Sequence, residues 1–237
     1  MTRLLPFIFI LLSACASVPM QETILPPATG DSVENAAIRQ QAVRAARQFV
    51  SVVETVEPVA ERECRNAPTR LNCDFQIVVD DRPDQPPNAF QTVDSMGRPI
   101  IAFNLGLIAS VQNADELAFI MGHEAAHHIL DHLEKTRETA TYGAVIMSGI
   151  AAISGADVEE VKSAEELGAV IGARSFSKEY ELEADELGTI IAARAGYDPV
   201  KGSEFFTRIP DPGNKFLGSH PPNAARRQIV RDTAAQL

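Results

Sequence analysis

Positive charge is scarce in this chain. Lys and Arg number 21 against 32 Asp and Glu, a net charge of −11 over 237 residues. A nucleic-acid binder needs a basic face, so nucleic acid is excluded as a partner. No polybasic run offers itself to anionic headgroups. Histidine is also rare: there are five, and four of them fall within residues 123–132. Long apolar runs are missing. Thr139–Ala156 carries no charge over eighteen residues, which touches the lower length for a membrane span, but only five of them are Val, Ile or Met. There is no internal repeat and no βαβ alternation, which excludes a doubly wound parallel sheet. What remains, at 45% hydrophobic and 22% charged, is an ordinary globular composition, long enough for one domain with a core.

The N-terminus reads as a leader. Arg3 gives a short positive region and Leu4–Leu12 a nine-residue apolar stretch, too short to cross a bilayer and right for a signal peptide. It ends in Leu12-Ser13-Ala14-Cys15, which resembles the lipobox of bacterial lipoproteins. That resemblance implies a leader of residues 1–14, lipidation of Cys15, and, with Ala16 following, sorting to the outer membrane. The competing reading is a plain secretory signal with an incidental cysteine. Residues 15–30, with Pro19, Pro26, Pro27 and Gly30, read as a flexible tether, and residues 31–237 as the domain. Cys64 and Cys73 remain, and in an oxidising compartment a close pair is expected to form a disulfide. No histidine cluster lies near them to suggest a zinc site.

The domain pattern is α+β: strands first, then helices, predominantly helical, with a small antiparallel or mixed sheet. Val33, Ala37, Ala42, Val43, Ala46, Val50 and Val53 recur at helical spacing from Asp31 to Arg65, with Pro58 as a break or kink. Asp74–Asp80, Asn88–Val93 and Pro99–Asn104 read as strands, the last two joined as a hairpin across Asp94–Arg98. Asn113 is a good N-cap for a helix reaching about Lys135, with Asp115 and Glu116 complementing its dipole. Thr139–Ala156 reads as a buried helical hairpin or lid, against a membrane-dipping segment. Lys178–Ala195 and Asn223–Gln236 are further helices, the first capped by Gly196.

His123-Glu124-Ala125-Ala126-His127 lies on the Asn113 helix. Residues four apart share a helix face, so His123 and His127 can grip one metal. Glu124, one step round, can take a proton from a metal-bound water. A catalytic zinc wants a third protein ligand and an open position. Some fifty residues on, Glu181 and Asp185 share a face of a second helix. Glu181 can reach the metal, and Asp185 can accept the free ring N–H of a ligating histidine. Glu183, about 200° round that helix from Glu181, reads as a solvated or packing carboxylate. The metzincin pattern fails, because Leu130 and Leu133 stand where it requires Gly and His. His128 and His132 sit four apart without a glutamate between them and read as structural, with a secondary metal site as the alternative.

HExxH with a downstream ExxxD is the pattern of gluzincin metallopeptidases. Asn88-Ala89-Phe90, Gly97, Ile100 and Leu105-Gly106-Leu107 resemble the approach to the site in HtpX-like and CAAX-prenyl-endopeptidase-like peptidases. So do His132, Glu181 through Gly188, Ala195–Pro199 and Ser219-His220-Pro221. The resemblance covers roughly residues 35–230 and is closest to periplasmic, lipoprotein-type members linked with outer-membrane quality control. It departs at Val93–Pro99, where the family has a tight Pro-Gly-Gly turn. It implies one Zn²⁺ held by His123, His127 and Glu181, with Glu124 as base. It also places His220 near the zinc, as an oxyanion stabiliser or an inhibitory fourth ligand, against a residue that only caps the terminal helix. Arg226 is placed like the family's HPxxxxR arginine, to pair with an acid near the site.

The expected activity is zinc-dependent endoproteolysis of unfolded or misassembled envelope proteins, in the bacterial periplasm at the inner leaflet of the outer membrane. An extended substrate is expected to add as a strand at Asn88–Val93 or Pro99–Asn104. Outer-membrane assembly machinery is an expected partner. The alternative is a lipid-anchored chaperone or assembly factor that holds clients in the same cleft.

Overall fold

The computed structural model describes residues 33–237 except Thr69 and Phe216. The leader, Cys15 and the tether lie outside the described residues.

Helix α1 spans Val33–Asn66 and runs through Pro58 without ending there. Its buried face differs from the one the apolar spacing predicts. Ala37, Ala42, Val43, Ala46 and Val50 are exposed, whereas Val52, Val56, Val59 and Ala60 enter the core. Among the described residues, α1 enters the core from Phe49 onward, against the Phe103 ring and chiefly the later HExxH helix, while the apolar residues Ala37, Ala42, Val43 and Ala46 before it stay exposed. Cys64, at the end of α1, is bonded to Cys73, with Cα atoms 5.7 Å apart.

Three strands follow: β1 (Gln76–Asp80), β2 (Ala89–Val93) and β3 (Pro99–Asn104). Their order is β1-β3-β2, with β1 parallel and β2 antiparallel to β3. Ile101 and Phe103 of the central strand are wholly buried with Phe75, Leu117, Met121 and Ile191. Truncating such a residue to alanine costs about 3–5 kcal/mol for Phe. The turn between β2 and β3 is closed by Asp94, whose Oδ1 accepts from the backbone N–H of Met96 (2.8 Å) and of Arg98 (2.9 Å). Asn104, at the end of β3, caps α2 (Leu105–Ser110) by accepting from Leu107 N–H at 2.8 Å. The same side chain donates to Pro86 O at 2.6 Å and accepts from Asn88 N–H at 3.0 Å. One buried amide thus ties the loop before β2 to the end of β3.

Helix α3 (Ala114–Ile129) starts at Asn113, whose side chain accepts from Glu116 N–H at 3.0 Å. Glu116 is fully buried and does more than complement the helix dipole: its two oxygens meet the Arg208 guanidinium at 2.8 and 2.5 Å. The helix does not reach Lys135. Asp131 adopts a left-handed conformation (φ 58°), a region Asp tolerates better than most residues, and a new helix, α4 (His132–Ile153), starts beyond it.

Helix α4 pairs with α5 (Val158–Arg174), which begins in a capping box of Asp157 and Glu160. A Cβ on Gly143 would lie 2.0 Å from the Gly168 carbonyl oxygen, so glycine at both positions lets the backbones touch. The pair is a helical hairpin as expected, but it is not buried. Tyr142, Val145, Ile146, Ile150 and Ile153 are all exposed. Only His132, Leu133 and Thr136 at its base border the cleft described below, so it does not cover that cleft as a lid. No helix among the described residues is long and apolar enough to cross a membrane. Helices α6 (Ser177–Arg194), α7 (Pro199–Gly202) and α8 (Asn223–Ala234) complete an α+β, predominantly helical domain.

Candidate metal centre

Helices α3 and α6 carry the two halves of the motif, and glycine sets how closely they approach. A Cβ on Gly122 would sit 2.8 Å from Gly188 O, and one on Gly188 would sit 2.8 Å from His123 N. Backbone therefore meets backbone beside His123, which brings the glutamate of α6 within reach of the histidines of α3.

The ligand atoms of His123, His127 and Glu181 lie within 4.8 Å of one another. The two Nε2 atoms are 3.1 Å apart. Glu181 Oε2 is 3.6 Å from His123 Nε2, and Oε1 is 3.4 Å from His127 Nε2. Glu181 Oε2 is buried without a hydrogen bond of acceptable geometry. Two imidazoles and one carboxylate match zinc's preference for N and O donors, and a buried carboxylate oxygen that no well-aligned hydrogen bond satisfies fits a place for a cation. Burial pushes the Glu181 carboxyl up, but the hydrogen bond with His127, the closeness of His220 and the charges of His123 and Arg226 hold it well below its usual 4.5.

Asp185 is fully buried, and its Oδ1 is 2.9 Å from His123 Nδ1. Arg226, from α8, grips the same carboxylate with Nε and Nη2, both at 2.7 Å, and its Nη1 lies 3.3 Å from Glu181 Oε2. Its guanidinium carbon sits 4.1 Å from the centre of the Phe206 ring. Burial pushes Asp185 up, and the Arg226 charge more than offsets this, leaving it below 3.8. His220 is half exposed, with Nδ1 3.0 Å from Glu181 Oε2, and stands outside the converging set. It caps nothing on α8, which starts at Asn223 with no side-chain cap.

His128 and His132 do not share a face as a continuous helix would place them. His128 Nε2 contacts Asn72 O at 2.7 Å, and its ring meets Phe75 edge-on. The turn at Asp131 instead swings His132 toward His127, Nδ1 to Nδ1 at 2.9 Å. Its Nε2 meets Glu183 Oε2 at 3.1 Å, and its ring stacks on Tyr180. Burial, against the Glu183 hydrogen bond, pushes the His132 imidazole down to about 4. Glu183 is thus bonded into the site rather than merely solvated.

His123, His127, His132, Glu181, His220 and Arg226 border one cleft of about 890 Å³, with Glu124 in its wall. Phe90 of β2, Phe119, Phe205, Ile209 and Pro86 give it a largely apolar lining. Strand β3 is interior to the sheet, so of the two strands expected to receive a substrate only β2 offers a free edge beside the cleft.

The family model of peptidase family M48 matches residues 46–234. The chain belongs to peptidase family M48. By family this is a metallopeptidase domain, of the HtpX-like kind the motifs imply. Three curated relatives frame the match. A Vibrio cholerae protein with the provisional name of beta-barrel assembly-enhancing protease is 31% identical over 139 residues, 56% of this chain and 28% of that protein. The mitochondrial metalloendopeptidase OMA1 of Arabidopsis thaliana is 26% identical over 135 residues, 55% of this chain and 27% of that protein. The beta-barrel assembly-enhancing protease of Yersinia pestis is 24% identical over 159 residues, 58% of this chain and 31% of that protein. The chain spans less than a third of the length of each.

Proposed function

We propose that this chain is a zinc-dependent endopeptidase of the bacterial cell envelope that cleaves unfolded or misassembled proteins. The observation that carries the reading is the convergence of His123, His127 and Glu181 in a cleft whose wall includes Glu124. Zinc, when held there, acidifies a water and polarises the scissile carbonyl. Glu124 takes the proton of the attacking water and passes it to the leaving amine, a general acid–base role. His220, at the cleft and outside the ligand set, donates to the developing oxyanion. Asp185 holds His123 in the tautomer that leaves Nε2 free for metal, and Arg226 fixes Asp185.

The free edge of β2 receives an extended chain by strand addition, while the apolar cleft takes alternate side chains. Backbone-led recognition selects unfolded segments over one strict sequence. We take misassembled outer-membrane proteins as its substrates and the assembly machinery as a partner; that the relatives from Vibrio cholerae and Yersinia pestis are named for enhancing beta-barrel assembly supports this reading. Lipidation of Cys15 anchors the enzyme to the inner leaflet of the outer membrane, facing the periplasm, with residues 15–30 as tether and 31–237 as catalytic domain.

Metal analysis combined with cleavage of an unfolded casein-type substrate tests this. Wild type is expected to hold one zinc and to cleave, with a chelator abolishing cleavage. Glu124→Gln is expected to keep zinc and lose about 10²–10⁴-fold in rate. Wild-type activity in that variant overturns the base assignment. Client binding with no cleavage, indifferent to chelator, marks a chaperone instead.

A further inference from the structure

The two histidines of the HExxH motif are held differently. His123 Nδ1 meets a carboxylate directly, Asp185 Oδ1 at 2.9 Å. His127 Nδ1 meets another imidazole, His132 Nδ1 at 2.9 Å, and only beyond it a carboxylate, Glu183 Oε2 at 3.1 Å from His132 Nε2. We propose that His132 and Glu183 are positioning residues for His127, a two-member outer shell that fixes its tautomer and ring orientation for the metal. The inference rests on the zinc site proposed above.

Proton bookkeeping makes the chain directional. Nε2 of His127 faces the ligand cluster, so its lone pair must point there and the ring hydrogen must sit on Nδ1. That N–H donates to His132 Nδ1, which must therefore be bare. A neutral His132 then carries its hydrogen on Nε2, where Glu183 accepts it. Each donor has one acceptor, so a single tautomer of each ring satisfies both bonds, and metal-ligating histidines gain basicity from such partners. The surroundings hold the arrangement. His132 is buried, 3% exposed, and its ring lies flat on Tyr180 with centroids 4.7 Å apart. The left-handed turn at Asp131 makes the contact possible, because in an unbroken helix residues five apart point about 140° away from each other.

The measurement is zinc affinity by chelator competition, with the electronic spectrum of the Co²⁺-substituted protein as a second readout of ligand geometry. His132→Phe keeps the flat ring against Tyr180 and removes both nitrogens, and is expected to weaken zinc about 10–100-fold and alter the Co²⁺ bands. His132→Asn, whose amide oxygen takes the place of Nδ1 as acceptor, is expected to recover most of that loss. Glu183→Ala, at a half-exposed position that does not threaten folding, is expected to weaken zinc less than His132→Phe, and Glu183→Gln to hold it. Glu183→Ala in the His132→Phe background is expected to add nothing. Zinc affinity and Co²⁺ bands unchanged in His132→Phe overturn the inference while leaving the zinc site intact. Should His132→Phe not fold, equal affinity of Glu183→Ala and wild type does the same. A wild type that holds no zinc overturns the site reading and this inference together.

Discussion

Gly122 and Gly188 press against each other where α3 crosses α6, each leaving less than 3 Å for a side chain. The residue after Gly122 is a metal-ligand candidate, and Gly188 lies seven positions beyond the glutamate that completes the set. Gly188→Ala is therefore expected to push α6 off α3, costing about 1–3 kcal/mol by overpacking. It is also expected to lower zinc affinity more than Gly149→Ala, where a Cβ meets nothing within 4 Å. Thermal denaturation and chelator competition on the two variants check this.

The buried pair of Asp185 and Arg226 sets a second expectation. Removing one partner of such a pair costs about 3–5 kcal/mol, because the other charge stays buried alone. Arg226→Met is expected to lose that much in denaturant titration, along with zinc affinity. Asp185 in the folded metal-free protein titrates below 3.8, so it binds fewer protons there than in the unfolded chain. Its contribution to stability is present above about pH 4 and drains away as pH falls through the folded value. Unfolding free energy measured from pH 5 downward is expected to show this decline in wild type.

His220→Ala is expected to lower kcat about 10²–10³-fold with zinc content unchanged, since His220 borders the cleft without joining the converging ligands. Steady-state kinetics with metal analysis decide it. A rise in activity assigns His220 to an inhibitory fourth-ligand role.

The Cys64–Cys73 bridge closes a loop over a sequence separation of 9 and fastens the end of α1 near β1. Replacing both cysteines with serine is expected to destabilise the domain by about 2–3 kcal/mol on the chain-entropy view, read as a lower denaturant midpoint. The metal centre lies apart from the bridge, so zinc affinity is expected to hold.

Much of the site was legible because helical spacing is a strong constraint. Two histidines four apart, and Glu181 four before Asp185, allow few arrangements that bury them together. The three strands were readable from β-branched runs and turn residues, β3 over the range found here. What escaped was set by tertiary contact. The first half of α1 keeps its apolar periodicity, yet Ala37, Ala42, Val43 and Ala46 stay exposed. Asp131 in a left-handed conformation ends a helix that propensity alone would continue, and with that turn the role of His132 disappears from view. Asn104 and Glu116 read as ordinary polar residues until Pro86 and Arg208 come up from distant parts of the chain to meet them.

The paired helices α4 and α5 pack on each other far more than on the rest of the molecule. Such a unit opens independently, at a free energy below that of the whole domain. Amide protons along residues 140–170 should accordingly exchange with solvent sooner than those of α3. A trace of protease should nick the chain first near Ser154–Asp157, leaving the catalytic core folded around the cut.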